Sequence, residues 1–177
     1  MSSRIQQRLG LLLSGIAILA GINVVVWRYE QAISSGEMVL LQLAPVDPRS
    51  LMQGDYMRLD YQLARDVASQ RARQTDPLAL TNQYDTLVIR LDDHQVASWV
   101  VEGNPAQLSA SERRLQVRQY HQQWLIGPDA FFFEEGTGEL FEAARYGEFR
   151  LQENGKALLV GLRDSQYQPI GQVRGRW

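Results

Sequence analysis

Carboxylates are the main source of chemistry in this chain. Glu134, Glu135, Glu139 and Glu142 fall within nine residues. On a helix, Glu135, Glu139 and Glu142 would share one face at i, i+4 and i+7, a spacing that could hold a cation or set up an acid and base pair. Glu134 and Glu135 can equally cap that helix or pair with Arg145 and Arg150, and this plainer reading is preferred. Other reactive types are scarce. With two histidines, His94 and His121, and no cysteine, a histidine-rich or thiolate metal site cannot be assembled and a cysteine nucleophile is excluded. No metal and no cofactor is expected. Gly136-Thr137-Gly138 is too short to cradle a phosphate.

Serine chemistry fares little better, because no Gly-x-Ser-x-Gly turn occurs. The stretch Ser50-Leu51-Met52-Gln53-Gly54-Asp55 is loosely similar to the serine region of membrane signal peptidases, and that resemblance implies a lysine base. Lys156 is the single lysine. A lysine base must be desolvated to lose its proton near neutral pH, whereas Lys156 follows Asn154-Gly155 at a hairpin tip, a solvated position. The serine-methionine start and second-strand lysine of those enzymes are also missing. A cell-envelope hydrolase or ligand-binding domain is therefore the alternative function, and enzymatic activity is not favoured.

Charge narrows the partners. The 177 residues carry 18 Lys+Arg and 20 Asp+Glu, and without Arg4 and Arg8 the remainder has a formal charge of −4. A mildly acidic domain with no basic block is poorly suited to gripping phosphate backbones, so nucleic acid is not an expected partner.

Residues 9–27 contain no charge, and nineteen residues at about 1.5 Å each match the roughly 30 Å hydrocarbon core of a bilayer. Trp27 and Tyr29 supply the aromatic pair expected where a helix leaves the membrane, and Arg4 and Arg8 mark the cytoplasmic side, although Arg28 weakens the asymmetry. A cleaved signal peptide is the main rival, but the apolar run continues to Val26 and no clear small-x-small site follows it. A buried core helix is the lesser one. Gly10 with Ser14 and Ala17 with Gly21 are small residues four apart, a spacing that permits close helix approach. The division is a cytoplasmic segment 1–8, an anchor 9–27, a linker 28–36 and one extracytoplasmic domain 37–177.

Beyond the anchor the pattern turns strand-like. A β-rich run over 37–46 stops at Asp47-Pro48, which can cap and start a one-turn helix that Gly54 ends. From Tyr56, alternation places Met57, Leu59, Tyr61 and Leu63 on a buried face and Arg58, Asp60 and Gln62 in water. Residues 64–82 read as a short exposed helix and a loop. Residues 84–91 and 95–102 form a hairpin with Leu87, Ile89, Trp99 and Val101 as core candidates. An extended run covers 114–126, Gly127-Pro128-Asp129 turns the chain, and 138–146 suits a short helix. Asn154-Gly155 is the strongest hairpin signal. The expected fold is mainly β, an antiparallel curled sheet or partly open barrel with one or two short helices.

Gly54-Asp55-Tyr56-Met57-Arg58-Leu59-Asp60-Tyr61 matches every fixed position of the motif that names the GDYXXLXY family of membrane-anchored bacterial proteins. The resemblance continues in Asp47-Pro48-Arg49-Ser50-Leu51 before it, and afterwards in Phe131-Phe132-Phe133-Glu134-Glu135-Gly136 and Arg145-Tyr146-Gly147-Glu148-Phe149-Arg150. It implies a protein of the bacterial inner membrane whose function is uncharacterised; with Arg4 and Arg8 ahead of a single anchor, the amino terminus is expected in the cytoplasm and the domain in the periplasm. The resemblance also implies a multi-pass membrane protein as partner, and supplies no catalytic residue to carry over. In the motif, Gly54 suits a turn, Leu59 and Tyr61 pack inward, and Asp55 bonds turn amides or Arg49. The sharper reading makes Asp55, Tyr56, Arg58 and Asp60 a contact surface for a ligand or partner.

Overall fold

In the computed structural model, residues 3–44, 52–53, 56–71, 83–120 and 123–171 are described. Helix α1 (Ser3–Ser35) runs 33 residues. Its part Gly10–Ser35 is long and apolar enough to cross a membrane, and its apolar side chains from Leu11 to Trp27 are exposed, which excludes a buried core helix. Residues 28–35, expected as a linker, are two further helical turns. Nothing between Arg28 and Ser35 breaks a helix, and the Ser34 and Ser35 hydroxyls both donate back to the Gln31 carbonyl. The helix stops at Gly36, where a Cβ would lie 2.7 Å from the Ala32 oxygen and 2.8 Å from the Arg150 Cβ. Only glycine lets the helix end pass this close to the sheet.

Among the described residues, three antiparallel sheets follow. The first has the order β1 (Glu37–Gln42), β9 (Tyr146–Leu151), β10 (Ala157–Arg163), β11 (Pro169–Ile170). In the second, β2 (Met52–Gln53), β3 (Tyr56–Arg58) and β8 (Ala130–Phe132) pair in that order. The third runs β5 (Ala97–Trp99), β4 (Gln83–Leu91), β6 (Glu112–Tyr120), β7 (Gln123–Leu125). Short helices α2 (Gln62–Arg71) and α3 (Gly138–Phe141) complete the described elements.

Strand β1 joins the sheets. Its Leu40 bridges Val96, and its Leu40 amide donates to the Gln95 carbonyl at 2.8 Å. Beyond its end, Leu43 bridges Tyr61 and the Ala44 amide donates to the Asp60 carbonyl at 2.8 Å. The β9–β10 hairpin tip reaches β6, where the Gln116 amide donates to the Gly155 carbonyl at 2.7 Å. The sheets thus curl into a half-barrel around Phe149, Leu41, Ile89, Leu115, Ile126 and Leu162, all fully buried. This is the mainly β, curled architecture expected from the alternating pattern.

Several local expectations change. The strand starting at Tyr56 ends at Arg58, because helix α2 begins at Gln62, yet Met57, Leu59, Tyr61 and Leu63 are all buried as the alternation requires. Helix α2 is half-buried, with Leu63, Ala64 and Val67 inside. Val101 is exposed: the Val100 amide still bonds the Val88 carbonyl at 2.9 Å, but the chain then turns at Gly103 and leaves the ladder. The run 114–126 is two paired strands, β6 and β7. Only one turn of the helix expected over 138–146 forms, since Tyr146 already pairs with Gln42 at the start of β9.

Candidate functional site

Strand β3 lies antiparallel to β8 with Tyr56 opposite Phe132, Met57 opposite Phe131 and Arg58 opposite Ala130. Two sequence blocks more than seventy residues apart are therefore one hydrogen-bonded ladder. Successive side chains of a strand point to opposite faces, so Met57 goes into the core while Tyr56 and Phe132 point away from it, their rings 5.6 Å apart. Phe132 is 74% exposed. Behind it, Phe131 and Phe133 pack on Phe141 of α3 at 5.2 and 5.1 Å between ring centres, while the neighbouring Leu140 is 59% exposed. A groove of about 660 Å³ runs between β8, α3 and the Leu159–Val160 stretch of β10. Most of its lining is apolar or aromatic, and Glu134 and Thr137 are its polar lining residues.

Leu59 and Tyr61 hold the turn that delivers β8. The Leu59 amide donates to the Asp129 carbonyl at 2.8 Å, and the Tyr61 hydroxyl donates to the Pro128 carbonyl at 3.2 Å. Tyr61 is 3% exposed and meets Phe149 edge to face at 5.6 Å. Burial, and after it the nearby Asp129 carboxylate, push the Tyr61 phenol above the usual tyrosine range. This tyrosine stays neutral and serves as a donor. Gly127, with φ +66, sits so close to Phe149 that a Cβ would lie 2.7 Å from its Cε1.

Glu134, Glu135 and Gly136 form a turn, not a helix. The Glu134 carbonyl accepts the Thr137 amide and hydroxyl at 3.0 and 2.6 Å, and Gly136 adopts φ +80. With α3 restricted to Gly138–Phe141, the carboxylates of Glu135, Glu139 and Glu142 share no helical face. Among the described residues, no three His, Asp or Glu side chains gather in a way that could hold a metal ion. The proposed arginine partners are engaged elsewhere: Arg145 donates to the Glu142 and Ala144 carbonyls, and Arg150 lies 3.5 Å from Glu148. Asp60, expected in water, pairs with Arg65 at 2.7 Å. Arg49, Ser50, Gly54, Asp55 and His121 lie outside the described residues. Lys156 is exposed on the hairpin loop.

A family model described as GDYXXLXY protein matches residues 18–162. The chain belongs to the GDYXXLXY family. No curated protein and no solved structure matches it. Within the family motif, the described positions divide by role: Leu59 and Tyr61 fasten the β8 turn, and Tyr56 builds the outer face with Phe132.

One ion pair, made by Glu148 of the later block with Arg163 beyond it, is not legible in the sequence. Glu148 is fully buried, its carboxylate accepting from Arg163 Nε at 2.7 Å. Arg163 also donates to the Tyr167 carbonyl at 2.5 Å. A strand alternating charged and apolar residues is expected to keep its charges in water. Here the loop carrying Tyr167 folds back over them, with Tyr167 stacked on His94 at 4.5 Å and leaning on Tyr146 at 5.1 Å. Burial, followed by the hydrogen bond to Tyr167, raises the Tyr146 phenol. The register set by the Asn154-Gly155 hairpin shifts by one residue between Leu159 and Gly161, and this irregularity, which the sequence does not announce, sets Arg163 opposite Tyr146 and so on the face of Glu148.

Proposed function

We propose that the chain is a membrane-anchored accessory module whose surface around Tyr56, Phe132 and Leu140 binds a multi-pass protein of the bacterial inner membrane. Its amino terminus lies in the cytoplasm and its β domain in the periplasm. The observation that carries this reading is the outward pair Tyr56–Phe132 with Leu140 beside an apolar groove. Phe132 and Leu140 are exposed beside the half-buried Tyr56; contiguous apolar patches on a soluble monomer mark interaction sites, and aromatic anchors set in pockets dominate protein contacts. Burying Phe132 against a partner is worth about 1.5–3 kcal/mol. Arg4 and Arg8 ahead of an exposed apolar helix support the orientation. The multi-pass partner follows from the family resemblance, and the open positions around Gly10, Ser14, Ala17 and Gly21 offer it a second contact within the bilayer.

A photo-crosslinking residue at position 132 of the full-length protein in living cells tests this. The expected result is one discrete membrane-protein adduct that is absent when the probe replaces Tyr84, which is equally exposed at 74%. No adduct at position 132, or the same adducts at both positions, would overturn it.

A further inference from the structure

We infer that the cleft between the end of α1 and the domain is a binding site for the head group of an anionic phospholipid. This rests on the anchored reading above. The cleft has a volume of about 1000 Å³ and is walled on one side by α1 from Trp27 to Ser35 with Gly36 beyond it, and on the other by β6 and the β9–β10 hairpin. Its depth follows from helix geometry. If residues 9–27 fill the hydrocarbon core, the eight residues from Arg28 to Ser35 rise a further distance of about 12 Å, less if the helix tilts. The head-group layer of one leaflet is roughly 5–8 Å thick. The Arg28 end of the cleft therefore lies within the head-group layer and its Gly36 end just above it.

Its charge opposes that of the rest of the molecule. Arg28, Arg113, Arg114 and Lys156 face only Glu37 and Glu153 there, a local excess of two positive charges in a chain of net charge −2. Arg113 is committed to Glu37 through a two-pronged bond, with Nη2 to Oε1 at 2.8 Å, and Arg114 gives its Nε to the Pro105 carbonyl at 2.6 Å. Arg28, the remaining Arg114 donors and Lys156, the one lysine of the chain, are placed to meet a phosphate and the negative charge it carries. Arg28, which weakens the charge asymmetry of the anchor, thereby gains a role in the outer leaflet.

The test uses full-length protein purified in a neutral detergent and native mass spectrometry with added phosphatidylglycerol or phosphatidylcholine. Wild type is expected to retain phosphatidylglycerol more strongly, with about a fivefold loss for each charge removed and a preference that weakens as salt rises. The triple variant Arg28→Gln, Arg114→Gln, Lys156→Gln should hold both lipids equally while unfolding at the wild-type temperature, and Arg118→Gln should behave as wild type. Equal retention by wild type, or a preference that survives in the triple variant, would overturn the inference. Competition by glycerol 1-phosphate at equal concentration would overturn the lipid in favour of a soluble phosphate. The same spectra report the chain's mass. A product lacking the apolar helix would defeat the anchored reading and this one with it, whereas an intact chain without preference defeats this one alone.

Discussion

The Tyr61 hydroxyl donates to the Pro128 carbonyl across 67 positions of sequence. The last fixed residue of the family motif thus secures the turn that brings Phe132 beside Tyr56. Removing that hydroxyl in Tyr61→Phe is expected to cost about 0.5–1 kcal/mol, and Tyr61→Ala, which also empties the space against Phe149, about 3–5 kcal/mol. Chemical unfolding of the full chain in mild detergent measures both.

The same tyrosine sets an alkaline limit. Its phenol is raised in the folded state, so above about pH 10 the unfolded chain loses a proton that the folded chain keeps. Stability is complete below that pH and falls as pH rises, by about 1.4 kcal/mol per unit from this group. Between pH 10 and 11.5 the wild-type stability curve should be steeper than that of Tyr61→Phe by about half a proton at first, rising to about one.

Gly127→Ala should be far more harmful than Gly136→Ala. Both glycines have positive φ, but a Cβ at Gly127 meets Phe149 at 2.7 Å whereas one at Gly136 meets nothing within 4 Å. Backbone strain alone costs about 1 kcal/mol or more, and the clash at Gly127 adds displacement of the central core ring. Melting temperatures of the two variants should separate by several degrees.

Glu148→Gln is expected to destabilise the fold by about 3–5 kcal/mol, because it leaves the guanidinium of Arg163 buried without its counter-charge. The double variant Glu148→Leu, Arg163→Met removes the closest pair and should recover part of the loss, while Arg150, 3.5 Å from Glu148, still loses its partner. If the single and double variants are equally unstable, the pair matters through packing and not through charge.

Much of the fold was legible because it is local. Met57, Leu59, Tyr61 and Leu63 reveal their buried face by alternation even though only part of that stretch is strand, and Asn154-Gly155 announces its hairpin. The ladder of Tyr56 with Phe132 was not legible. Nothing within β3 or β8 encodes a partner seventy residues away, and the motif and the phenylalanine block stood as separate signals until the sheet joined them. The carboxylate reading failed for a related reason. Glu135, Glu139 and Glu142 have helical spacing, but Gly136 turns the chain before the helix and Tyr146 is drawn into β9 after it, so one turn is all that forms. Burial of Glu148 depends on a covering loop that strand periodicity does not register.

The most direct test of the account is affinity purification of tagged full-length protein from detergent-solubilised membranes, wild type beside Phe132→Asp. Because Phe132 is 74% exposed, the substitution should leave the melting temperature unchanged. The account predicts a stoichiometric multi-pass membrane protein with wild type and at least a tenfold loss of it with Phe132→Asp, equivalent to about 1.4 kcal/mol of contact energy. Equal recovery by the two forms, or no stoichiometric partner with either, would contradict it.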